Sequence, residues 1–394
     1  MGIHPYVAQE ADYMSRLRRY FHSHPELSMQ EYQTAERIEA ELREIGIETR
    51  RVGGTGVLGI LRGTAGGTGK KIVLRADTDA LPIQDAKTVP YASQCPGVMH
   101  ACGHDAHTAA LLGAARALKR LEHTFSGEID FVFQPGEEYG QGAVLFIRDG
   151  VLEGASRTFG IHLQSSLPVG QVAMSRGPEN ASVDHFTIRV HGKSAHVSTP
   201  ELGADALYAA AQIVTALQGI VTRLKSPTDP ALIGVGILRA GDGYNIVAQE
   251  AVLEGTVRCF SPQTREMINR KIQEIAQSTA AMYQTSAEVE NESFTCPLIN
   301  DDTVYEETVP VVERVVGKEN LVPKEPALGG DDMAELIAVV PGVYAFVGSG
   351  SPEVPGSQLA HHTPGFDADE RCLPIAASLY TEFALSQLQE NWKG

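Results

Sequence analysis

Apolar and polar positions follow two different rhythms along this chain, and the two rhythms predict strands and helices in turn. Short apolar runs at Lys71–Ala76, Gly127–Phe133 and Val343–Val347 are typical of buried strands. Ala109–Leu121 has apolar residues at helical spacing on an alanine-rich face, and the stretch from about Leu373 to Trp392 has the same spacing. Strands that alternate with helices predict an α/β protein.

The region between about residues 181 and 292 has its own order of elements: strand, helix, strand, strand, helix, strand. The segment DHFTIRV alternates like a strand, and Ser261 is placed to cap the second helix. This order is the split βαβ pattern of a ferredoxin-like domain. We therefore expect an inserted domain over residues 181–292, and one discontinuous larger domain over residues 1–180 and 293–394.

Composition and charge narrow the class of protein. The chain has 394 residues, of which 43% are hydrophobic and 21% charged, which is an ordinary globular balance. A net charge of −17 argues against nucleic acid as a partner. No apolar stretch resembles a signal peptide or a membrane span, and five cysteines without regular spacing do not form a disulfide framework. We expect a cytoplasmic enzyme that does not bind membranes.

The densest chemical signal is the segment MHACGHDAH at Met99–His107, just before the alanine-rich helix. It contains Cys102 and His104, and thiolate and imidazole are ligands that zinc and similar metals prefer. If the backbone is extended here, these two alternate side chains share one face. A polar loop with chance histidines is the alternative.

A second signal follows the strand that ends in FVFQPGEEY, where Glu137 and Glu138 are adjacent. Such a pair can divide two tasks, with one carboxylate as a metal ligand and the other as a base. A metal lowers the pKa of bound water to about 7, so a nearby carboxylate can accept its proton. An isolated Glu-Glu pair would more simply be a solvated surface, but the turn and the Cys/His cluster favour a site.

Other polar residues follow strand-like runs or lie in Pro/Gly loops, and each has an ordinary structural explanation as well. The two aspartates of RADTDALP would also fit a role in capping a turn, and GGDD would fit a simple turn. The histidine of GIHL would also fit a core residue whose ring nitrogens are hydrogen-bonded. The histidines of AHHTPGFD lie in a loop where burial in a core is less expected. These candidates are Asp77, Asp79, His162, Gly329–Asp332, His361 and His362.

Taken together and in order, the motifs resemble one known family. It contains hippurate hydrolase, plant auxin-conjugate hydrolases, N-acetyldiaminopimelate deacetylase and bacterial carboxypeptidases. The resemblance covers nearly the whole chain, through HSHPELSMQE, RADTDALP, MHACGHDAH, QPGEE, GIHL, HGKSAH, GTVRCF and HHTPGFDADE. It implies a zinc-peptidase-like catalytic domain, discontinuous in sequence, and an inserted ferredoxin-like α+β domain that serves dimerisation or as a lid.

The resemblance also implies two divalent metal ions, zinc or manganese, with cobalt or nickel as alternatives, bridged by a thiolate. The residues that match the metal ligands are Cys102, as the bridge, with His104, Glu138, His162 and His362. His362 is preferred over His361 because it stands two residues before Pro364, where the family pattern places its ligand, and His361 remains an alternate. Glu137 matches the general base and Asp79 the aspartate that orients the site.

In the inserted domain, His196 matches a histidine that helps to polarise the scissile carbonyl, in some relatives from the partner subunit. Asn245 and Arg258 match positions near the substrate carboxylate, although a structural ion pair explains Arg258 equally well. One departure is the GGDD of Gly329–Asp332, where relatives carry a Glu-Asp pair followed by an aromatic residue. This segment therefore says little about substrate preference.

The implied function is hydrolysis of the amide bond of N-acyl amino acids by a homodimer, with water activated by the two metals and Glu137 as base. A carboxypeptidase or dipeptidase acting on short peptides is the alternative within the family. Two other classes remain open: a metal-binding protein without turnover, and a hydrolase that uses Cys102 as its nucleophile. The first does not need the free base of the Glu137–Glu138 pair, and the second predicts activity that survives chelation.

Overall fold

The computed structural model of the protein describes residues 2–67, 69–389 and 392. The chain folds into two compact units. Unit 1 comprises Met1–Glu179, Ile299–Glu325 and Asp331–Gly394, and unit 2 comprises Asn180–Leu298 and Pro326–Gly330.

The described residues form helices and strands in alternation, which confirms the α/β class. The helices are α1 Pro5–Ala8, α2 Ala11–Ser23, α3 Tyr32–Glu44, α4 His104–Arg120, α5 Gly142–Arg148, α6 Ala206–Gly219, α7 Pro262–Met282, α8 Asp302–Val316, α9 Met333–Val339 and α10 Cys372–Leu388. The strands are β1 Glu48–Val52, β2 Gly56–Arg62, β3 Lys71–Asp77, β4 Glu128–Gln134, β5 Ala155–Pro168, β6 Val172–Met174, β7 Gly177–Asn180, β8 Val183–His191, β9 Ala231–Ala240, β10 Glu250–Cys259, β11 Ser286–Thr295, β12 Leu298–Asn300, β13 Leu321–Pro323 and β14 Gly342–Gly350.

Unit 1 is built on an eight-stranded mixed sheet in the order β1-β2-β4-β3-β5-β14-β6-β13. Its four central strands, β4, β3, β5 and β14, are parallel to one another. Successive side chains of β3 point to opposite faces: Ile72 and Leu74 join a large core with α4 and α10, whereas Val73 joins a smaller core with Phe146 of α5. Helices therefore cover both faces, as a buried parallel sheet requires.

Unit 2 has a four-stranded antiparallel sheet in the order β11-β8-β10-β9, with α6 and α7 against one face. Phe186, Ile188 and Val190 of β8 point towards these helices, and the intervening residues point away. The order strand–helix–strand–strand–helix–strand and the antiparallel sheet are those of a ferredoxin-like domain. Ser261 caps α7 by accepting the N–H of Thr264, as the pattern predicts.

The helix expected at Ala109–Leu121 begins five residues earlier, at His104. Its first turn is polar, so the hydrophobic spacing does not reveal it. The C-terminal helix ends at Leu388, and residues 390 and 391 of the predicted stretch lie outside the described residues. In the part of the chain that is described, no helix combines the length and apolar character needed to cross a membrane.

Candidate metal centre and active site

The carboxyl ends of the central strands of unit 1 bring the candidate residues together. Strand β3 ends at Asp77, which pairs in register with Gln134 at the end of β4. His162 lies in the neighbouring strand β5. Parallel strands present their carboxyl ends at one edge of a sheet, which is where α/β proteins place their sites.

A left-handed glycine brings Cys102 and His104 together. Gly103, with φ of 97°, is the N-cap of α4, and His104 is the first residue of that helix. The backbone is therefore not extended here, and Cys102 and His104 do not lie on one face of an extended segment. The chain reverses at Gly103 instead, and only glycine adopts this conformation without steric cost.

The thiol of Cys102 is common to two groups of metal-ligand atoms. One group is Cys102, His104 and His162, and the other is Cys102, Glu138 and His362; within each group the atoms lie within 4.8 Å of one another. The Sγ atom is 3.4 Å from Nε2 of His162, and Nε2 of His362 is 3.3 Å from Oε1 of Glu138. Two cations could therefore share one sulfur ligand here.

Two of these histidines are held in the tautomer that a metal ligand needs. Nδ1 of His104 donates to the carbonyl and carboxylate oxygens of Asp79, at 3.0 and 3.2 Å. Nδ1 of His162 lies 2.6 Å from the carbonyl of Leu163. With the proton on Nδ1 in each ring, the Nε2 lone pair is left for a cation, which is the usual arrangement in metal sites.

The residues fit divalent cations in two further respects. Nε2 of His104 is buried and makes no hydrogen bond with any described residue, which is costly for a polar atom unless a ligand satisfies it. Burial, and next the neighbouring Glu138, raise the pKa of the Cys102 thiol well above its usual value. A thiolate therefore needs compensating positive charge, and the raised pKa is the opposite of that expected for a cysteine nucleophile.

Glu137 lies beside this cluster and is 7% exposed. Its Oε2 is 4.0 Å from Nε2 of His104. Burial, followed by the charge of Asp331, raises the pKa of Glu137 well above that of an ordinary glutamate. A buried carboxyl with a raised pKa, next to a set of metal ligands, is suited to accepting and returning a proton.

Asp79 connects the two halves of the cluster. Besides binding His104, its Oδ2 accepts the hydroxyl of Ser28 at 2.6 Å and the backbone N–H of Glu138 at 3.1 Å. One buried aspartate thus holds a histidine and the backbone of a carboxylate ligand in fixed relation. This geometry supports an orienting role.

Two other nearby histidines have both ring nitrogens in hydrogen bonds. His107 accepts the N–H of Leu163 on Nε2 at 2.9 Å and donates from Nδ1 to Asp77 at 2.6 Å. His361 accepts the N–H of Ser165 on Nε2 at 3.3 Å, and its Nδ1 lies 3.1 Å from the carbonyl of Cys102. Neither has a lone pair free for a metal.

His362 and His361 can be distinguished by the same substitution at both positions. We expect His362→Asn to weaken metal binding by more than about 100-fold, since even residues behind the ligands are worth 10–100-fold. His361→Asn keeps an amide N–H near the position of Nδ1, so its affinity should stay within about tenfold of the wild type. Zinc titration against a chromogenic chelator measures both, and equal losses would contradict the distinction.

The candidates in unit 2 lie on two adjoining segments and a strand. The exposed His196 forms an isolated bridge with Ile246, and its Nδ1 accepts the backbone N–H of Ser198 at 3.1 Å. The carbonyl of Asn245 accepts the N–H of Val197 at 3.1 Å, and Arg258 lies on β10. His196 and Asn245 are thus neighbours within this unit, and the roles of all three residues stay predictions.

Two buried polar residues that support the site from behind, Arg75 and Glu31, have no role predicted by the sequence motifs. Arg75 is fully buried in β3 and bonds Asp77 at 2.7 Å and Asp332 at 2.8 Å. Glu31 accepts the backbone N–H of Gly136 at 2.9 Å. The arginine inside the apolar run KIVLRA is a sequence feature that could have indicated a supporting role for Arg75. By contrast, no residue near Glu31 in sequence indicates the partner of Glu31.

Comparison with known proteins places the chain in a family. The family model described as Peptidase family M20/M25/M40 matches residues 73–386. The chain is 37% identical over 376 residues to the N-acetyl-L-cysteine deacetylase of Bacillus subtilis (strain 168), covering 95% of this chain and 88% of that protein. It is 35% identical over 384 residues to thermostable carboxypeptidase 2 of Saccharolobus solfataricus, covering 96% of each.

A solved structure of the same family is also similar to this chain. The Bacillus subtilis YXEP protein, described as a dinuclear metal binding peptidase from the M20 family, matches with a TM-score of 0.84 and 33% identity, over 96% of this chain and 98% of that one. These matches confirm the resemblance drawn from the motifs. The chain belongs to the M20/M25/M40 peptidase family and is a hydrolase of amide or peptide bonds.

Proposed function

We propose that this hydrolase cleaves the amide bond of N-acyl amino acids and releases the free amino acid. The observation that carries the proposal is a buried carboxyl, Glu137, that lies beside the two groups of ligand atoms sharing the Cys102 sulfur and belongs to neither of them. Ligands alone would suit a binding protein, whereas ligands with an adjacent base suit hydrolysis.

Cys102 would bridge two divalent cations, with His104 and His162 in one group of ligands and Glu138 and His362 in the other. Sulfur, imidazole and carboxylate together suit zinc, and manganese, cobalt and nickel are the alternatives. When bound, the two cations would supply the positive charge that acidifies an attacking water and polarises the scissile carbonyl.

The chain's own residues would then move the protons and hold the substrate. Glu137 accepts a proton from the attacking water and returns it to the leaving nitrogen, since an amide nitrogen leaves poorly until it is protonated. Asp79 keeps His104 oriented. His196 is assigned to the developing oxyanion, the point at which fixed positive groups have their largest effect. Asn245 and Arg258 are assigned to the carboxylate of the substrate.

Two relatives, together with this chemistry, support the proposed substrate class. One relative is named as an N-acetyl-L-cysteine deacetylase and another as a carboxypeptidase, and both names describe cleavage beside an amino acid. We favour the acyl amino acid, with short peptides as the alternative. We further propose a cytoplasmic homodimer, with the inserted domain serving dimerisation or as a lid.

Chelation and metal return test this proposal. Purified protein is assayed on a panel of N-acetyl and N-benzoyl amino acids and dipeptides, before and after EDTA, and after addition of zinc, manganese, cobalt or nickel. We expect EDTA to abolish at least about 99% of the activity, because the attacking water loses its activation, and a metal to restore it. The best substrate distinguishes deacylase from peptidase.

Two outcomes would contradict the proposal. Activity that ignores the chelator would indicate Cys102 as a direct nucleophile. Metal binding without turnover on any member of the panel would remove the support for hydrolysis of N-acyl amino acids and favour a binding role.

A further inference from the structure

The turn that carries Glu137 and Glu138 connects β4 to α5 and has little regular structure of its own. It contains one short 3-10 segment, Glu137–Tyr139, between two left-handed glycines, Gly136 and Gly140, each with φ of 62°. Carboxylate oxygens of Glu137 and of the Asp331–Asp332 pair lie within 4.8 Å of one another. Carboxyl groups this close repel one another when they are ionised, so the position of Glu137 depends on contacts that hold the backbone of the turn.

Glu31 supplies one such contact at the start of the turn. Its side chain is fully buried, and its Oε1 accepts the backbone N–H of Gly136 at 2.9 Å and that of Met29 at 2.8 Å. Met29 is itself left-handed, with φ of 64°, and its Sδ lies 2.6 Å from where a Cβ on Gly136 would be. One oxygen therefore holds two left-handed residues together next to Glu137.

Asp332 supplies contacts at both ends of the turn. Its Oδ1 accepts from the side-chain amide of Gln134 at 2.6 Å, and its Oδ2 accepts the backbone N–H of Ala143 at 3.0 Å. Gln134 is the last residue of β4, and Ala143 lies in the first turn of α5. Arg75 bonds the same Oδ1 at 2.8 Å and balances the buried charge.

We propose that Glu31 and Asp332 are positioning residues, which place the base Glu137 and the ligand Glu138 by bonding the turn that carries them. The inference rests on the proposed function for the roles of those two glutamates. Charge-assisted hydrogen bonds that backbone N–H groups donate to buried carboxylates are among the stronger hydrogen bonds in proteins. A site held within about 0.5 Å depends on such contacts, because small displacements of a base or ligand cost activity.

Paired substitutions at Glu31 test the inference. In Glu31→Ala both N–H groups lose their acceptor, and we expect kcat and cobalt affinity to fall by about 10–100-fold, with KM within about threefold. In Glu31→Gln an amide oxygen can still accept both N–H groups, so kcat and cobalt affinity should stay within about threefold of the wild type. Both side-chain oxygens of Asp332 accept hydrogen bonds, and Asp332→Asn keeps only one of them. Its kcat and cobalt affinity should therefore fall as in Glu31→Ala.

Asp130→Asn is the matched control. Asp130 is 1% exposed, lies near the start of the same strand β4, and pairs with Lys71 at 2.9 Å. Its replacement should lower the melting temperature without changing kcat or cobalt affinity by more than about threefold. If Glu31→Ala does not fold, Gly136→Ala replaces it, because a side chain there meets Met29 and should produce the same losses.

The cobalt titration requires no substrate, so it separates this inference from the proposed function. A wild type that binds cobalt but hydrolyses nothing on the panel contradicts the proposed function, and the affinities of the variants still decide the role of Glu31. Three results would overturn the inference: wild-type cobalt affinity and kcat in Glu31→Ala, no recovery in Glu31→Gln, or equal losses in Asp130→Asn.

Discussion

Glu137→Gln is expected to lower kcat by about 10²–10⁴-fold while the protein keeps its bound metal, because general-base catalysis is typically worth that much. Glutamine has the size and shape of glutamate, but its amide cannot accept the proton of an attacking water. Glu137 is outside both ligand groups that share Cys102, so replacing it leaves those ligands in place. KM should change little, because the loss falls on the transition state.

The adjacent carboxylate provides the control for this prediction. Glu138 belongs to one of the two ligand groups, and Glu138→Gln should therefore reduce the metal content of the protein as well as kcat. Emission spectrometry of the purified variants measures the metal content, and steady-state kinetics at saturating metal measure kcat. Near-wild-type turnover in Glu137→Gln would show that Glu137 is not the base. Equal loss of metal in both variants would contradict the assignment of Glu137 as base and Glu138 as metal ligand.

Many of the strands and helices of the fold that carries Glu137 and Glu138 could be predicted from the sequence, because they depend on local patterns. The strand at Lys71–Ala76 is a short apolar run, and it forms β3 with one residue added. The inserted unit shows its four strands and two helices in the predicted order. Both depend on periodicity and capping, which act between residues close in sequence.

The choice between His361 and His362 shows what a sequence motif can predict and what it cannot. The resemblance favours His362, because the family pattern places its ligand two residues before Pro364. The hydrogen bonds of His361 to Ser165 and to the carbonyl of Cys102 support the same choice for a different reason. His362 is also left-handed, with φ of 62°, a conformation that histidine adopts more often than most residues. The spacing of residues in the sequence gives no information about the hydrogen bonds of His361.

The contacts of the supporting carboxylates could not be predicted, because their partners are distant in sequence. Glu31 bonds a residue 105 positions away, and Asp332 bonds one 189 positions away. Only the folded backbone shows that these groups meet at one turn. The GGDD segment says little about substrate preference. Its second aspartate, Asp332, bonds the turn that carries Glu137 and Glu138.

Arg75→Met is expected to have the largest effect on stability, about 3–5 kcal/mol in the free energy of unfolding, because it leaves buried carboxylates without their cation. Arg75 is fully buried, and its guanidinium bonds Asp77 at 2.7 Å, Asp332 at 2.8 Å and the side-chain carbonyl of Gln134 at 3.0 Å. Methionine can fill much of the same space, so the missing charge and hydrogen bonds, rather than a cavity, should account for most of the loss.

Arg62→Met on the neighbouring part of the sheet is the control, because Arg62 is 60% exposed and pairs with Glu48 and Glu128, each at 2.9 Å. Exposed pairs are worth about 0–1 kcal/mol, so its urea midpoint should shift only slightly. The double variant Arg75→Met/Asp332→Asn removes one of the unbalanced charges and should therefore be more stable than Arg75→Met alone. If Arg75→Met unfolds at the same urea concentration as Arg62→Met, then the carboxylates behind the site do not depend on this arginine, and water or bound protons must balance them instead.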